Sequence, residues 1–427
     1  MRRHNFGLYK VLSLKLLLLS LFCMILIAFS GFFPIALQRV LAQQSPTPPP
    51  PTSNSWVNNS TSANKEHLSI SLLNQIKPMI LKNMGNKSKG GVSIVLGVIT
   101  PNGTSLSSYG NISKANTTKV NGNTIFDIAS ITKTFTTTLL AEMVKQGLVD
   151  LEDPIGKYLP ATVKIPTYNG HKITLEDLAT HTSGLPDFPA GWIRNRIYTT
   201  QQVYNFLSNT QLQSEPGTKA NYSDFGMGLL GYILSIRAGV PYAQLVKDRI
   251  LSVLGMDSTG IAMNSTAITL SDALKSRLAK GHIGGGKEIN LEFIPEAIQG
   301  AGALHSTTND LLKYLAANIG LIHTSINDII QETHLIRHEY PQAPSLHFSS
   351  ASNKSLSASY IGLGWFIETN LGTEVIQHSG GIDGYSSFVG FNPTKQEGVV
   401  LLCSCETNDM PLPVIESLIK MKLGTLF

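Results

Sequence analysis

The chain has 427 residues, 42% of them apolar and only 14% charged, with three Cys. That length exceeds a single small module, and so few cysteines exclude a disulfide-stapled scaffold or a Cys-rich zinc protein. The net charge of +5 is local: Arg2, Arg3, Lys10, Lys15 and Arg39 lie in the first 42 residues beside no Asp or Glu, and without them 28 basic residues face 28 acidic ones, so nucleic acid and anionic membrane surfaces are excluded as partners of the rest.

The basic start leads into an apolar run from Leu16 to Leu37, and Val40-Leu41-Ala42 places small residues where a signal peptidase reads them. Residues 1–42 are expected to be a signal peptide cleaved after Ala42. The alternative is a retained anchor, since the run 16–37 is also long enough to tether the chain to a membrane. Either way the remainder is expected outside the cytoplasm, secreted or held at the outer face of the membrane. Phe22 before Cys23 disfavours a lipoprotein signal. Residues 43–64, with Pro48 to Pro51 amid Ser, Thr and Asn, read as an extended linker. Sequons such as Asn59-Ser60-Thr61 are numerous, as chance allows in such a composition.

From residue 65 to 427 the chain reads as one domain. Leu68, Leu72, Leu73, Ile76 and Ile80 predict a helix, Val92 to Ile99 a strand, and Pro101-Asn102-Gly103 a hairpin turn. Phe126 to Phe135 then runs into Leu139, Leu140, Met143 and Val144 at helical spacing, stopped by Gly147. Mostly helices follow, with Gly and Pro breaks. Ser386 to Phe391 and Val399 to Cys405 are strands, and a helix follows Pro411. The fold class is α/β in the α+β sense: a mainly antiparallel sheet flanked by helices, with an inserted helical subdomain. Cys403 and Cys405, two apart on a strand, are expected to be packed thiols, because a bridge there would be strained.

Several patterns are decoys. Gly226 to Gly231 fits GxGxxG but follows a polar segment where a strand is needed, so close helix packing explains it better. Gly281 to Lys287 has phosphate-loop spacing, but Glu288 stands where Ser or Thr should bind magnesium, so a flexible loop is expected. His334 and His338, four apart on a possible helix, lack a third ligand. No metal or organic cofactor is implied.

Chemistry concentrates at Ser130 and Lys133. They share one face of a helix N-terminus, where oriented N–H groups favour an oxyanion. A hydroxyl needs an adjacent base, and neutralising lysine at pH 7 costs about 4–5 kcal/mol in water, so Lys133 is expected in a water-poor site. Tyr222-Ser223-Asp224 and His378-Ser379-Gly380-Gly381 follow in order.

Together these resemble the motifs SxxK, YxN and (K/H)(T/S)G of the serine β-lactamase and penicillin-binding protein superfamily, in its class C β-lactamase-related branch. Leu178 to Leu185, Leu254-Gly255-Met256, Gly300 to Thr307 and Gly362 to Trp365 extend the likeness, which runs from about residue 65 to the C-terminus. The resemblance implies a β-lactamase/transpeptidase-like fold and hydrolysis of an amide, β-lactam or ester bond in a small molecule or peptide through an acyl-enzyme. Ser130 would be the nucleophile, Lys133 its base and Tyr222 the proton shuttle. The backbone N–H groups of Ser130 and Gly381 would form the oxyanion hole, with Ser379, Gly380 and Asp224 against the substrate. His378 would replace the Lys that faces a substrate carboxylate, losing its charge near pH 6.5 and weakening KM for anions above that. His181 reads as a satisfied structural histidine.

Asp224 departs from the pattern. An ionised Asp cannot donate as Asn does, and beside Lys133 it would favour the ammonium form. Either Tyr222 takes over as base or the substrate lacks the amide that Asn would read. A catalytically impaired relative serving as a binding module is the competing reading, against which the intact Ser130, Lys133 and Tyr222 stand.

Overall fold

The chain divides into two units, Met1–Asn54 and Ser55–Phe427, and every described residue lies in the second. The computed structural model describes part of a helix between residues 70 and 82, and residues 92–405 other than 192–197, 262–273, 275, 284–285, 291–293, 341–356 and 371–372. The expected signal, linker and C-terminal helix lie outside these residues. Among the described residues, no single helix is long and apolar enough to cross a membrane.

An eight-stranded antiparallel sheet organises the domain. The N-terminal hairpin consists of β1 (Ile94–Thr100) and β2 (Gly103–Tyr109). The C-terminal meander consists of β10 (His338–Glu339), β11 (Ser357–Ile361), β12 (Phe366–Asn370), β13 (Thr373–Ile382), β14 (Tyr385–Asn392) and β15 (Glu397–Cys403). The order is β10-β11-β12-β13-β14-β15-β1-β2, so β1 pairs with β15 and the ends of the domain close on each other. Everything between the hairpin and the meander is inserted: the short strands β3 (Ile125–Asp127), β4 (Thr167–Tyr168), β5 (His171–Lys172), β6 (Gly260–Ile261), β7 (Gly281–Ile283), β8 (Lys287–Ile289) and β9 (Leu304–Thr307), together with the helices. The helices are α1 (Thr132–Lys145), α2 (Leu175–Ala179), α3 (Thr200–Asn209), α4 (Asp224–Ala238), α5 (Tyr242–Leu254), α6 (Thr308–Ile319) and α7 (Asn327–Thr333).

Central strands covered on both faces become continuous apolar runs, as in β1 and β15. Val95, Ile99, Val400 and Leu402 join the main core. Their alternate neighbours Ile94, Leu96, Val399 and Leu401 form a second cluster with Leu73 of the helix between residues 70 and 82. Gly97 is required by the close seat of α6: a Cβ there would lie 2.6 Å from the Thr308 methyl. The GxGxxG pattern has the packing role expected of it, since a Cβ at Gly231 would lie 2.8 Å from the Gly300 Cα.

Three expectations are corrected. Cys403 and Cys405 are bridged, with Cα atoms 5.3 Å apart; β15 ends at Cys403, and the bend after it replaces the extended geometry that would have kept them apart. In place of the expected flexible loop, Gly281–Ile283 and Lys287–Ile289 pair as the antiparallel strands β7 and β8. His334 and His338 share no helix: α7 ends at Thr333 and His338 lies in β10, while His334 packs against Trp365 and Phe391 with Nε2 at 2.9 Å from Asn318 Oδ1.

Candidate active site

The nucleophile turn is built from both sides. β3 delivers Asp127, a 3₁₀ turn spans Ala129–Ile131, and α1 starts at Thr132. Ala129 has a φ of 45°, an αL conformation that costs an L-residue about 1–2 kcal/mol. It is held there by its N–H donating to Asp127 Oδ1 at 2.8 Å. The Ile128 N–H donates to Leu304 O at 3.0 Å, and Ser387 Oγ donates to Ile128 O at 2.8 Å. The turn is therefore tied to β9 and to β14 before Ser130 is reached.

Lys133 follows on α1, fully buried. Its ammonium donates to Ser130 Oγ at 2.8 Å and to Ala301 O at 2.6 Å, and lies 2.6 Å from Asp224 Oδ1. Ala301 reaches it because Gly300 and Gly231 allow the segment Glu296–Ala301 to press against α4. The expectation of a water-poor lysine site is met in geometry, and the charge state is the one expected from Asp224 instead of the neutral one that burial alone would give. Burial pulls the Lys133 pKa down, yet the carboxylate of Asp224 and the phenol of Tyr222 more than offset it, and the net shift is upward. Lys133 is an ammonium.

Tyr222 donates to Ser130 Oγ at 2.8 Å. It is placed by the segment around His181, which also adopts a left-handed φ of 58°. Asn221 N–H donates to His181 O at 2.7 Å, Ser223 N–H donates to His181 Nδ1 at 3.2 Å, and the His181 ring lies 4.5 Å from that of Tyr222. Ser223 then caps α4 through Gly226 N–H at 2.9 Å. His181 is thus only half satisfied: its Nε2 is buried with no hydrogen-bond partner among the described residues. Burial, with Lys133 and His378 nearby, holds its pKa well below the usual range. Burial likewise raises the Tyr222 phenol to about 12, against the lowering effect of Lys133, so the resting group is protonated.

β13 forms the opposite wall. β12 pairs with it only as far as Gln377, so residues 378–382 carry no strand on that edge among the described residues. Gly380 is required here: a Cβ would lie 2.4 Å from Ile128 O and 3.0 Å from Ser130 N, which presses this strand against the nucleophile turn. Gly381 is the next residue along and is exposed, and Ser379 is half-buried. His378 does not fit the carboxylate-anchor expectation. It is buried against Phe366, its Nδ1 donates to Ser379 O at 2.6 Å, and burial together with Lys133 pushes its pKa down to about 3. The imidazole is therefore neutral near pH 7 and has no charge to lose there.

Sequence reasoning missed Ala301 O, the positioning role of His181, and the aromatic lining of Phe366 and Tyr340, whose rings are 5.0 Å apart. Only the motif segments around residues 181 and 301 signalled the first two. Among the described residues, no group of three His, Cys, Asp or Glu is arranged to hold a metal ion.

A serine hydroxyl held between a buried lysine and a tyrosine, beside a strand edge with no pairing partner among the described residues, is the arrangement of a serine hydrolase. The sequence model of the Beta-lactamase family matches residues 82–419, and the chain belongs to that family. It is 30% identical over 319 residues to the D-alanyl-D-alanine-carboxypeptidase/endopeptidase AmpH of Escherichia coli strain K12, covering 73% of this chain and 79% of that protein. A beta-lactamase of Lysobacter lactamgenus is 26% identical, over 69% of this chain and 77% of its own. The fold matches a beta-lactamase/D-alanine carboxypeptidase of Yersinia pestis with a TM-score of 0.67 at 24% identity, covering 86% of this chain and 100% of the other. The protein is an enzyme of the serine hydrolase class.

Proposed function

We propose that the protein is an exported hydrolase that opens an ester or amide bond through an acyl-enzyme on Ser130. The observation that carries this reading is the convergence of Lys133 Nζ and Tyr222 OH on Ser130 Oγ, each at 2.8 Å. Both groups donate in the resting state, so the Tyr222 proton must first pass to solvent before the hydroxyl can be activated. Asp224 holds the lysine charged, which makes Tyr222 the base. Its phenolate, stabilised by the ammonium, takes the Ser130 proton as Oγ bonds to the acyl carbon. The oxyanion develops toward the backbone N–H groups of Ser130 and Gly381. Tyr222 then returns the proton to the leaving group, and water releases the acyl chain by the reverse sequence.

The neutral His378 supports substrates that present no carboxylate at that wall: an ester, or an internal amide such as that cut by an endopeptidase. β-Lactams, which carry a carboxylate, would be slow substrates. The relatives are enzymes and the three reacting groups are intact, which leaves the binding-module reading without support. Export is supported by the basic start, the apolar run 16–37 and the small residues at 40–42. The Cys403–Cys405 bridge fits an oxidising compartment.

The test is an intact-mass shift localised to Ser130 after treatment with a fluorophosphonate, followed by parallel rates on p-nitrophenyl acetate, nitrocefin and a D-Ala-D-Ala peptide. Absence of the adduct rejects the mechanism. A kcat/KM on nitrocefin about 100-fold above the ester rejects the substrate preference.

A further inference from the structure

We propose that Asp127 and His305 form a buried couple that shares a single proton, and that through it Asp127 is a positioning residue for the nucleophile turn. The inference rests on the reading of Ser130 as the nucleophile. Asp127 and His305 are register partners across β3 and β9, and both are buried. Asp127 Oδ1 is occupied by the Ala129 N–H, the bond that holds the left-handed residue before Ser130. Its other oxygen, Oδ2, faces His305 Nε2 at 3.5 Å, longer than a formed hydrogen bond, and Nε2 has no hydrogen-bond partner among the described residues.

The tautomer follows from the other side of the ring. His305 Nδ1 lies 3.2 Å from Ala303 O. A carbonyl only accepts, so Nδ1 carries hydrogen, and in the neutral ring Nε2 is a bare lone pair. A lone pair facing a carboxylate oxygen in a buried site is repulsive unless a proton sits between them. That proton either makes Asp127 a carboxylic acid donating to Nε2 or makes His305 an imidazolium. Burial favours the neutral arrangement. It pushes the Asp127 carboxyl up to about 7 despite the Ala129 N–H, and pushes the His305 imidazole down to about 4 despite Ala303 O.

Among the described residues, neither neighbouring titratable group takes the proton's place. On β14, Tyr385 feels Asp127 electrostatically, but its hydroxyl donates to Ala279 O at 2.7 Å. On α1, Lys133 is engaged with Ser130, Ala301 and Asp224. The strand that carries His305 also carries the tie from Ile128 N–H to Leu304 O and the bond from Leu304 N–H to Thr132 Oγ1 at 3.1 Å. The couple therefore sits between the strand and the turn that both position Ser130. When the proton leaves to solvent above about pH 7, the carboxylate keeps its hold on the Ala129 N–H but repels the His305 lone pair, and the β9 side of the turn, with its tie from Ile128 N–H to Leu304 O, loosens.

Asp127→Asn separates this from a merely structural role. Its Oδ1 still accepts from Ala129, while its amide N–H donates to His305 Nε2, which fixes the couple in its protonated form. With p-nitrophenyl acetate and the full chain, the ratio of kcat at pH 9 to kcat at pH 6.5 is expected to rise about fivefold over wild type, with KM within about twofold. Asp127→Ala, which lacks both bonds, is expected to lower kcat about tenfold at every pH. In the Ser130→Ala protein, ¹⁵N NMR of His305 is expected to report the Nδ1–H tautomer from pH 5 to pH 9. A D127N profile that follows wild type, or an Nε2–H tautomer, overturns the proposal. If the fluorophosphonate adduct on Ser130 fails to form, the reading of the active site falls and the NMR result alone decides the couple.

Discussion

Two acid–base pairs flank Ser130, one half-buried and one fully buried, and they resolve the same problem in opposite ways. On the α4 side, Lys133 and Asp224 stand 2.6 Å apart and the lysine pKa rises. On the β9 side, Asp127 and His305 stand 3.5 Å apart, the carboxyl rises to about 7, and the imidazole falls to about 4. Burial opposes charge in both places. The difference lies in the partners: an ammonium starts about four pKa units above an imidazole, so a close carboxylate keeps it charged where it cannot keep a histidine charged. The charged pair can hold the reacting groups electrostatically. The neutral pair can only hold backbone geometry.

The largest test of this contrast is to remove the cation. Lys133→Ala should lower kcat/KM by at least about 10³-fold. It should also cost about 2–3 kcal/mol in denaturant unfolding, less than a fully buried pair because Asp224 is 21% exposed. A variant that unfolds like wild type would mean the charged pair carries no structural weight.

Asp224→Asn sharpens the comparison by removing only the charge. The carboxylate raises the Tyr222 phenol as well as Lys133, so its loss should move the acid limb of kcat/KM, set by Tyr222 as base, to lower pH. It should also shift relative rates toward amide-bearing β-lactams. An acid limb that stays in place, with unchanged relative rates on penicillin and a simple ester, would reject the assigned effect of Asp224.

Asp127 predicts a stability effect of the opposite pH sense. Its folded pKa lies above the unfolded value of 3.8, so its contribution is fully present below about pH 4 and is lost as pH rises through about 7. Asp127→Asn has no such loss, and its Tm relative to wild type should increase by about 2–6 °C between pH 4.5 and pH 8. A pH-independent Tm difference would indicate that Asp127 does not titrate in this range.

The smallest effect is expected at the strand wall, which the charged pair reaches only through the field of Lys133 on His378. His378 stays neutral because its pKa is about 3, so wild-type KM for an anionic substrate should be flat in pH from 6 to 8 as far as this group is concerned. His378→Lys should lower KM for nitrocefin about threefold and leave p-nitrophenyl acetate unaffected. A wild-type KM that worsens about tenfold over that range would restore the charged-histidine expectation.

What the sequence determined by itself was local and periodic. The spacing of Ser130 and Lys133 on one helical face, the hairpin at Pro101 to Gly103, the apolar runs of the C-terminal strands and the chain order of the three motifs are all short-range patterns, legible because helix and strand geometry is fixed by the backbone. Even Asp224 could be seen as a raising influence on Lys133. The tertiary structure decided every question of ionisation and of long-range contact. Whether burial or a carboxylate governs Lys133, whether His378 bears charge, and that Asp127 meets His305 across 178 positions of chain depend on distances between elements far apart in sequence. It also decided the Cys403–Cys405 bridge, because a strand that stops two residues early changes the distance between Cα atoms. Charge states in a low-dielectric interior are set by the few ångströms that packing alone fixes, and no one-dimensional pattern carries those distances.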